Sequence, residues 1–383
     1  MNLYSLPKNN NLIEFNPTIK KGQIKTYTTH SIMCCYDNII EQISKININI
    51  NINNSQENIN IFLKEFNPFE YISGTQNCVS KLKLLNCVFY DFYEISNIIN
   101  CLSIFETNMN AIYIGENCED LVYCHELLRK DMGDAVIPYK CVETTSIIKD
   151  CINNNKLDFI FYEIQDLDNT NNYTIELLKI LNIVLNCQKH NGNCVIKIGN
   201  MFYKPIIDII YIFCSLFEKV NIIKPNTSNI NSFEKYLVCT KFISDTIMYD
   251  QLDMFLSEFI SISNSNSNSN IFSIIKQETP VYFLNKIDDI NIILGQQQLE
   301  SIDQIINIFK NKNKDEKIEL LKKVNIQKCI SWCEKYKIPH NKFIDKQNIF
   351  LPLKKYNDIY FEEENENNID NFEEENEIII DNV

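Results

Sequence analysis

Between Lys83 and Thr240 the apolar positions fall into two alternating kinds of run. Short runs rich in β-branched and aromatic residues read as buried strands, and longer runs with apolar residues every three to four positions read as helices. The first kind places strands at Cys87–Ile95, Ala111–Gly115, Ile137–Cys141, Phe159–Glu163, Cys194–Ile198, Val220–Ile223 and Tyr236–Thr240. The second places helices at Asn97–Glu106, Asp120–Lys130, Thr145–Asn153, Thr174–His190 and Tyr203–Phe217. Strand and helix in repeated alternation predict an α/β domain built on a mostly parallel sheet with crossover helices.

Outside this region the pattern changes. Residues 1–55 are Asn-rich and predict an irregular arm with one helix at Tyr36–Ile46, leaving residues 56–245 as the sheet domain. Residues 261–270 repeat Ser and Asn with nothing to bury, which predicts a flexible connection. Residues 271–356 then form a helical extension, with helices at Gln297–Asn311 and Asp315–Tyr336 and a stop at Pro339.

Charge changes this picture only at one end. The net charge is −14, but Phe361–Val383 hold ten acidic residues and no Lys or Arg, so the rest of the chain has 36 basic against 40 acidic residues. Residues 357–383 therefore read as a solvated acidic tail, and the nearly neutral body is free to carry a basic cleft. The fifteen cysteines are scattered, with no C-x-x-C pair, and the four histidines are far apart, so reduced thiols and no metal site are expected. No run of about 20 apolar residues is present, and Met1–Phe15 lacks a signal-peptide layout, so a soluble, unexported protein without a membrane partner is expected.

The candidate chemistry lies between Gly192 and Thr240. Lys197 ends a buried strand, a helix follows, and the next segments carry Lys224, Pro225, Ser228, Ser232, Glu234, Tyr236 and Cys239. A charge inside a buried parallel-strand pattern is costly unless it is paired or used. This layout resembles the second half of the FtsJ-like ribose 2′-O-methyltransferases, and Asn67–Asn86 resembles the N-P-F/Y-E helix of the cap-specific enzymes of eukaryotes and large cytoplasmic DNA viruses.

The resemblance implies a Rossmann-like, S-adenosylmethionine-dependent methyltransferase fold with a seven-stranded sheet. It also implies a catalytic Lys-Asp-Lys-Glu tetrad, which falls on Lys83 (with Lys81 as its neighbour), Glu163, Lys197 and Glu234. Lys197 would be the base that takes the ribose proton, and a nearby cation would lower its pKa. Glu163 stands where the family has Asp, with Asp166 and Asp168 as substitutes if the strand ends later. Donor contacts are expected from Glu94 and Ser96 at the end of the first strand and from Glu116.

The glycine-rich donor turn is the weak point. In the expected turn, within Phe92–Phe105, Ile98, Ile99, Asn100 and Cys101 occupy the family's G-P-G-G stretch, and no G-x-G occurs anywhere. Side chains there would block the approach of a ligand to the backbone. Two functions follow from the resemblance: an mRNA cap 2′-O-methyltransferase using S-adenosylmethionine, or a silent methyltransferase fold that binds RNA or stimulates a capping-enzyme partner, as a poxvirus capping subunit does. A structural virion or interaction protein is a third. A viral origin, with action in the host cytoplasm or the virion, completes these expectations.

Overall fold

A computed structural model describes residues 1–10, 13–52, 66–74, 78–82, 84, 86–140, 147–149, 156–167, 169–243, 269–310 and 314–341. The chain runs β1 (Asn2–Ser5), β2 (Phe15–Lys21), α1 (His30–Ile52), α2 (Val88–Ile99), β3 (Asn110–Ile114), α3 (Cys118–Leu128) and β4 (Ala135–Tyr139). It continues through β5 (Leu157–Glu163), α4 (Thr170–Cys187), β6 (Gln188–Ile198), α5 (Lys204–Leu216), β7 (Phe217–Lys224), β8 (Lys235–Phe242), β9 (Ser269–Ile275), α6 (Val281–Phe309) and α7 (Lys314–Tyr336).

Seven strands form the main sheet in the order β1-β7-β8-β6-β5-β3-β4. β4, β3, β5 and β6 are parallel, while β8 runs antiparallel between β6 and β7. The mostly parallel seven-stranded sheet with C-terminal helices is the architecture expected. Every residue of β5 is buried, as a strand covered on both faces must be. One face packs Ile160, Tyr162 and Ile196 into the main apolar core with α4 and α5. The Asn169 side chain starts α4 by accepting from the backbone N–H groups of Asn171 and Asn172, and Pro205 sits in the first turn of α5, where its missing N–H costs nothing.

The expected first strand is instead a helix. Val88–Ile99 form α2, which ends at Asn100 in the left-handed conformation; of the helix expected over Asn97–Glu106 only Asn97–Ile99 are helical, as the last turn of α2, and residues 101–105 form turns. Its aromatic and β-branched content gave it the look of a strand, because a helix buried on nearly all sides loses its polar stripe. It lies on the sheet, with Phe92 against Phe159 and Phe161, and beneath α7, with Tyr90 against Trp332.

The seventh strand comes from the N-terminus, which was expected to be irregular. β1 pairs with β7 from Asn2↔Lys224 to Ser5↔Asn221, and β2 pairs with β9 in a separate two-stranded sheet. α1 packs on α6 through Ile43, Ile302 and Ile306. Residues 1–342 form one compact unit. Most of the Ser/Asn repeat, most of the helix expected at Thr145–Asn153 and the acidic tail lie outside the described residues. No described helix is long and apolar enough to cross a membrane.

Candidate active site at the carboxyl edge of the sheet

Parallel pairing places Glu163 of β5 opposite Lys197 of β6, and antiparallel pairing places Tyr236 of β8 opposite Lys197 on the other side. Cross-strand partners project to the same face, so the three side chains converge under α2. Lys197 Nζ lies 3.3 Å from Glu163 Oε1 and 3.5 Å from Glu234 Oε1. Only 12% of the Lys197 side chain and 3% of the Glu163 side chain are exposed, whereas Glu234 is 35% exposed and opens the cluster to solvent. Three of the four expected tetrad positions therefore meet. Lys83 lies outside the described residues, and Lys81 is exposed, its backbone N–H donating to the Pro339 carbonyl.

The electrostatics of Lys197 oppose the expectation of a lowered pKa. Burial pulls it down, but Glu234, Glu163 and Asp91 together outweigh burial and hold the ammonium above its ordinary value. The cluster is a lysine among carboxylates, and it stores a proton at neutral pH.

Asp91, on α2, was missed in the sequence because its segment looked like a strand. Burial raises its carboxyl to about 7, although it accepts hydrogen bonds from the Thr227 and Tyr236 hydroxyls and faces Lys197. Lys224, by contrast, is a clamp. Its Nζ donates to the carbonyls of Asn229 (2.8 Å), Ser232 (2.7 Å) and Glu234 (2.9 Å), fixing the loop that presents Glu234. Burial lowers its pKa to about 8.

The order of strands locates a second feature. From β3 the chain moves outward to β4 and then returns to β5 on the opposite side, so the strand order reverses between β3 and β5. Ligands of open α/β sheets bind outside the carboxyl ends of the strands at such a point. The turn there is Gly115-Glu116-Asn117, leading into α3. Gly115 has φ +146°, and a Cβ on it would fall 2.6 Å from Glu163 Cβ. The Asn117 backbone N–H donates to Glu163 Oε2 (3.3 Å), and its side-chain amide reaches both carboxylate oxygens at 3.0 Å. The start of α3, a natural seat for a ligand anion, is thus occupied by the protein's own carboxylate.

Residues 142–242 match the model of the FtsJ-like methyltransferase family. The second half of the sheet domain is thus similar to FtsJ-like methyltransferases. The cap-specific mRNA (nucleoside-2′-O-)-methyltransferase 1 of Drosophila melanogaster is 27% identical over 154 residues, which are 39% of this chain and 19% of that protein. The mRNA-capping enzyme small subunit of swinepox virus (strain Kasza) is 26% identical over 165 residues, 38% of this chain and 53% of that subunit. The mRNA-capping enzyme regulatory subunit of vaccinia virus (strain Ankara) is 30% identical over 97 residues, 24% of this chain and 32% of that subunit. The chain spans about half or less of the length of these relatives.

FtsJ-like methyltransferases as a family use S-adenosylmethionine, and the residues of this chain at the corresponding edge of the sheet are arranged differently from a donor cradle. The turn after β3 carries one glycine, and the strand-reversal point lies there, not at the segment Phe92–Phe105 expected from the sequence. Glu94 is wholly buried in α2 and accepts from the Asn226 N–H (3.0 Å), the Asn226 side-chain amide (2.9 Å) and Trp332 Nε1 (3.1 Å). It ties α2 to α7. Ser96 is buried on the same helix beside Cys101. Neither is placed to touch a donor, and the reason is that both ride on a helix, not on a strand end. Glu116 is exposed in the turn itself. Asp166 accepts from Asn169 and Asn172 at the start of α4, so it does not replace Glu163, and Asp168 lies outside the described residues. With Glu163 seated over Gly115 and on Asn117, the residues of this arrangement do not fit a bound donor. Among the described residues no His/Cys/Asp/Glu group could hold a metal ion.

Proposed function

We propose that this FtsJ-like domain works as a non-methylating, regulatory component of an mRNA-capping apparatus, binding RNA and a capping-enzyme subunit in the cytoplasm of a virus-infected host. The observation that carries this reading is the seating of Glu163 on the Asn117 amide, which fills the turn a methyl donor would need. The protonated Lys197 supports it, because an ammonium held up by carboxylates is a poor proton acceptor. Likeness to small and regulatory capping subunits points the same way.

Calorimetric titration with S-adenosylmethionine tests it. No saturable heat is expected, while the protein should still raise the cap-methylating rate of a capping-enzyme catalytic subunit. Saturable heat, or methyl transfer to capped RNA by the isolated chain, would overturn the proposal.

One observation favours a second reading, a cap 2′-O-methyltransferase: the convergence of Glu163, Lys197 and Glu234 on one edge of the sheet. In that reading S-adenosylmethionine supplies the methyl group, Lys197 orients the ribose hydroxyl, and Glu163 must leave Asn117. Its signature is methyl transfer that Lys197→Ala abolishes without loss of the fold.

A further inference from the structure

A cavity of about 470 Å³ opens beside α7, next to the Lys197 cluster but outside it. Its walls include Phe69, Asn226, Val324, Lys328, Trp332 and Lys335. Asn226 follows the carboxyl end of β7, so the cavity shares the ligand-facing edge of the sheet with Lys197. The two are mechanically joined: Asn226 is held by Glu94, its neighbour Thr227 donates to Asp91, and both acids lie on α2 about one helical turn apart.

The walls are fixed in advance. The Trp332 indole is held by Glu94 and packs 4.6 Å from the Tyr336 ring, and Cys329 on α7 reaches the Pro68 carbonyl, which keeps the Phe69 segment against the helix. The rim is cationic. Lys328 and Lys335 are seven residues apart, so they share one face of α7 at about 10 Å spacing along its axis. Neither has an ion pair among the described residues; Lys335 Nζ sits over the Tyr336 ring at 4.9 Å. Two uncompensated cations beside aromatic and apolar surface, with the exposed Gln327 on the same wall, match a planar base attached to phosphates. An acidic peptide would use the lysines but would leave the flat apolar wall without a planar partner.

We propose that this cavity binds a nucleotide unit of single-stranded RNA, with the base against the Phe69 and Val324 wall and the flanking phosphates on Lys328 and Lys335. The inference needs no methyl donor; it rests on the RNA-binding half of the regulatory reading and names the site for it, whereas the titration with S-adenosylmethionine tests the other half.

Trp332 is the only tryptophan of the chain, so its emission reports on the cavity directly. Titration of the full chain with a 5′-triphosphorylated decaribonucleotide should change that emission saturably. Inorganic tripolyphosphate should weaken RNA binding by competition without reproducing the emission change. Replacing both rim lysines (K328A with K335A), each exposed and clear of the core, should weaken RNA binding at least tenfold. It should also lower the slope of log affinity against log salt by about 1 to 2, with the thermal midpoint unchanged. An emission unmoved by RNA, an unaltered affinity in the double variant, or equal binding of a polyglutamate peptide would each overturn the assignment.

Discussion

Glu163 and Lys197 are register partners on adjacent parallel strands, with Oε1 and Nζ 3.3 Å apart and both side chains nearly closed to water. The pairing also explains why Glu163 can reach Asn117: its two oxygens are shared between the ammonium and the amide. Lys197→Met leaves two carboxylates facing Asp91 without their cation and should cost about 2 kcal/mol in chemical denaturation at pH 7. Because the folded pKa of Lys197 is raised, its stabilisation is complete below the ordinary value of 10.5 and is lost as pH rises through the folded value. Wild-type and Lys197→Met stabilities should therefore converge once pH exceeds the raised folded value; a gap that persists at the alkaline end would show that the contribution is packing and not charge.

Asp91 loses stability in the same direction, as pH rises, but in a lower range. Its carboxyl is raised from 3.8 to about 7, so the folded state holds an extra proton across that interval, and stability falls as pH climbs from 4 to 7 before levelling. Asp91→Asn removes this titration. Urea denaturation of the two proteins between pH 4 and 8 should show the wild type losing ground steadily up to about 7, whereas parallel profiles would remove Asp91 as a buried acid.

The sequence carried the second half of the domain with little ambiguity. Strands β5 to β8 are apolar, with clear helices between β5, β6 and β7 and a loop before β8, and a lysine ending one buried strand with a glutamate entering another is a pattern that burial makes costly to waste. Lys197 and Glu234 were legible through the family resemblance of this segment, to which the cost of burying charge added weight. The first half was not. A helix covered on nearly every side, such as Val88–Ile99, has no polar stripe, so its periodicity is erased and its aromatic content mimics a strand. That one misreading put the expected turn within Phe92–Phe105, away from Gly115–Asn117 where the strand order reverses, and hid Asp91. The strand at Asn2–Ser5 is four residues at a sheet edge, too short for any alternation to register.

Gly115 separates two costs that a glycine can hide. Gly22 and Gly74 also have positive φ, but a Cβ on either meets nothing within 4 Å, so alanine there should cost about 1 kcal/mol from backbone strain alone. At Gly115 the added carbon meets Glu163 Cβ at 2.6 Å, a contact no rotamer relieves. Gly115→Ala should cost about 3 kcal/mol or more in chemical denaturation. A loss no larger than at Gly22 would mean that Glu163 is free to withdraw from the turn, which would weaken the regulatory reading.

Lys224 offers a test of how the loop carrying Glu234 is held. Its ammonium donates to three carbonyls between Asn229 and Glu234, so it fixes the loop through charge-assisted bonds and not through packing. Burial has lowered its pKa to about 8, below the ordinary lysine value of 10.5, so the folded state releases this proton first. Deprotonation leaves two N–H donors for three carbonyls, and the loop should loosen as pH passes 8 even though the neutral amine is easier to bury. Hydrogen exchange of the amides between Thr227 and Lys235, corrected for the intrinsic rise with pH, should accelerate between pH 7 and 9 in the wild type. Lys224→Met should exchange fast at both ends of that range. Global stability should move the other way, rising from pH 8 towards 10.5 as the penalty of a buried charge is removed. Loop protection and global stability rising together would mean that Lys224 is not the clamp.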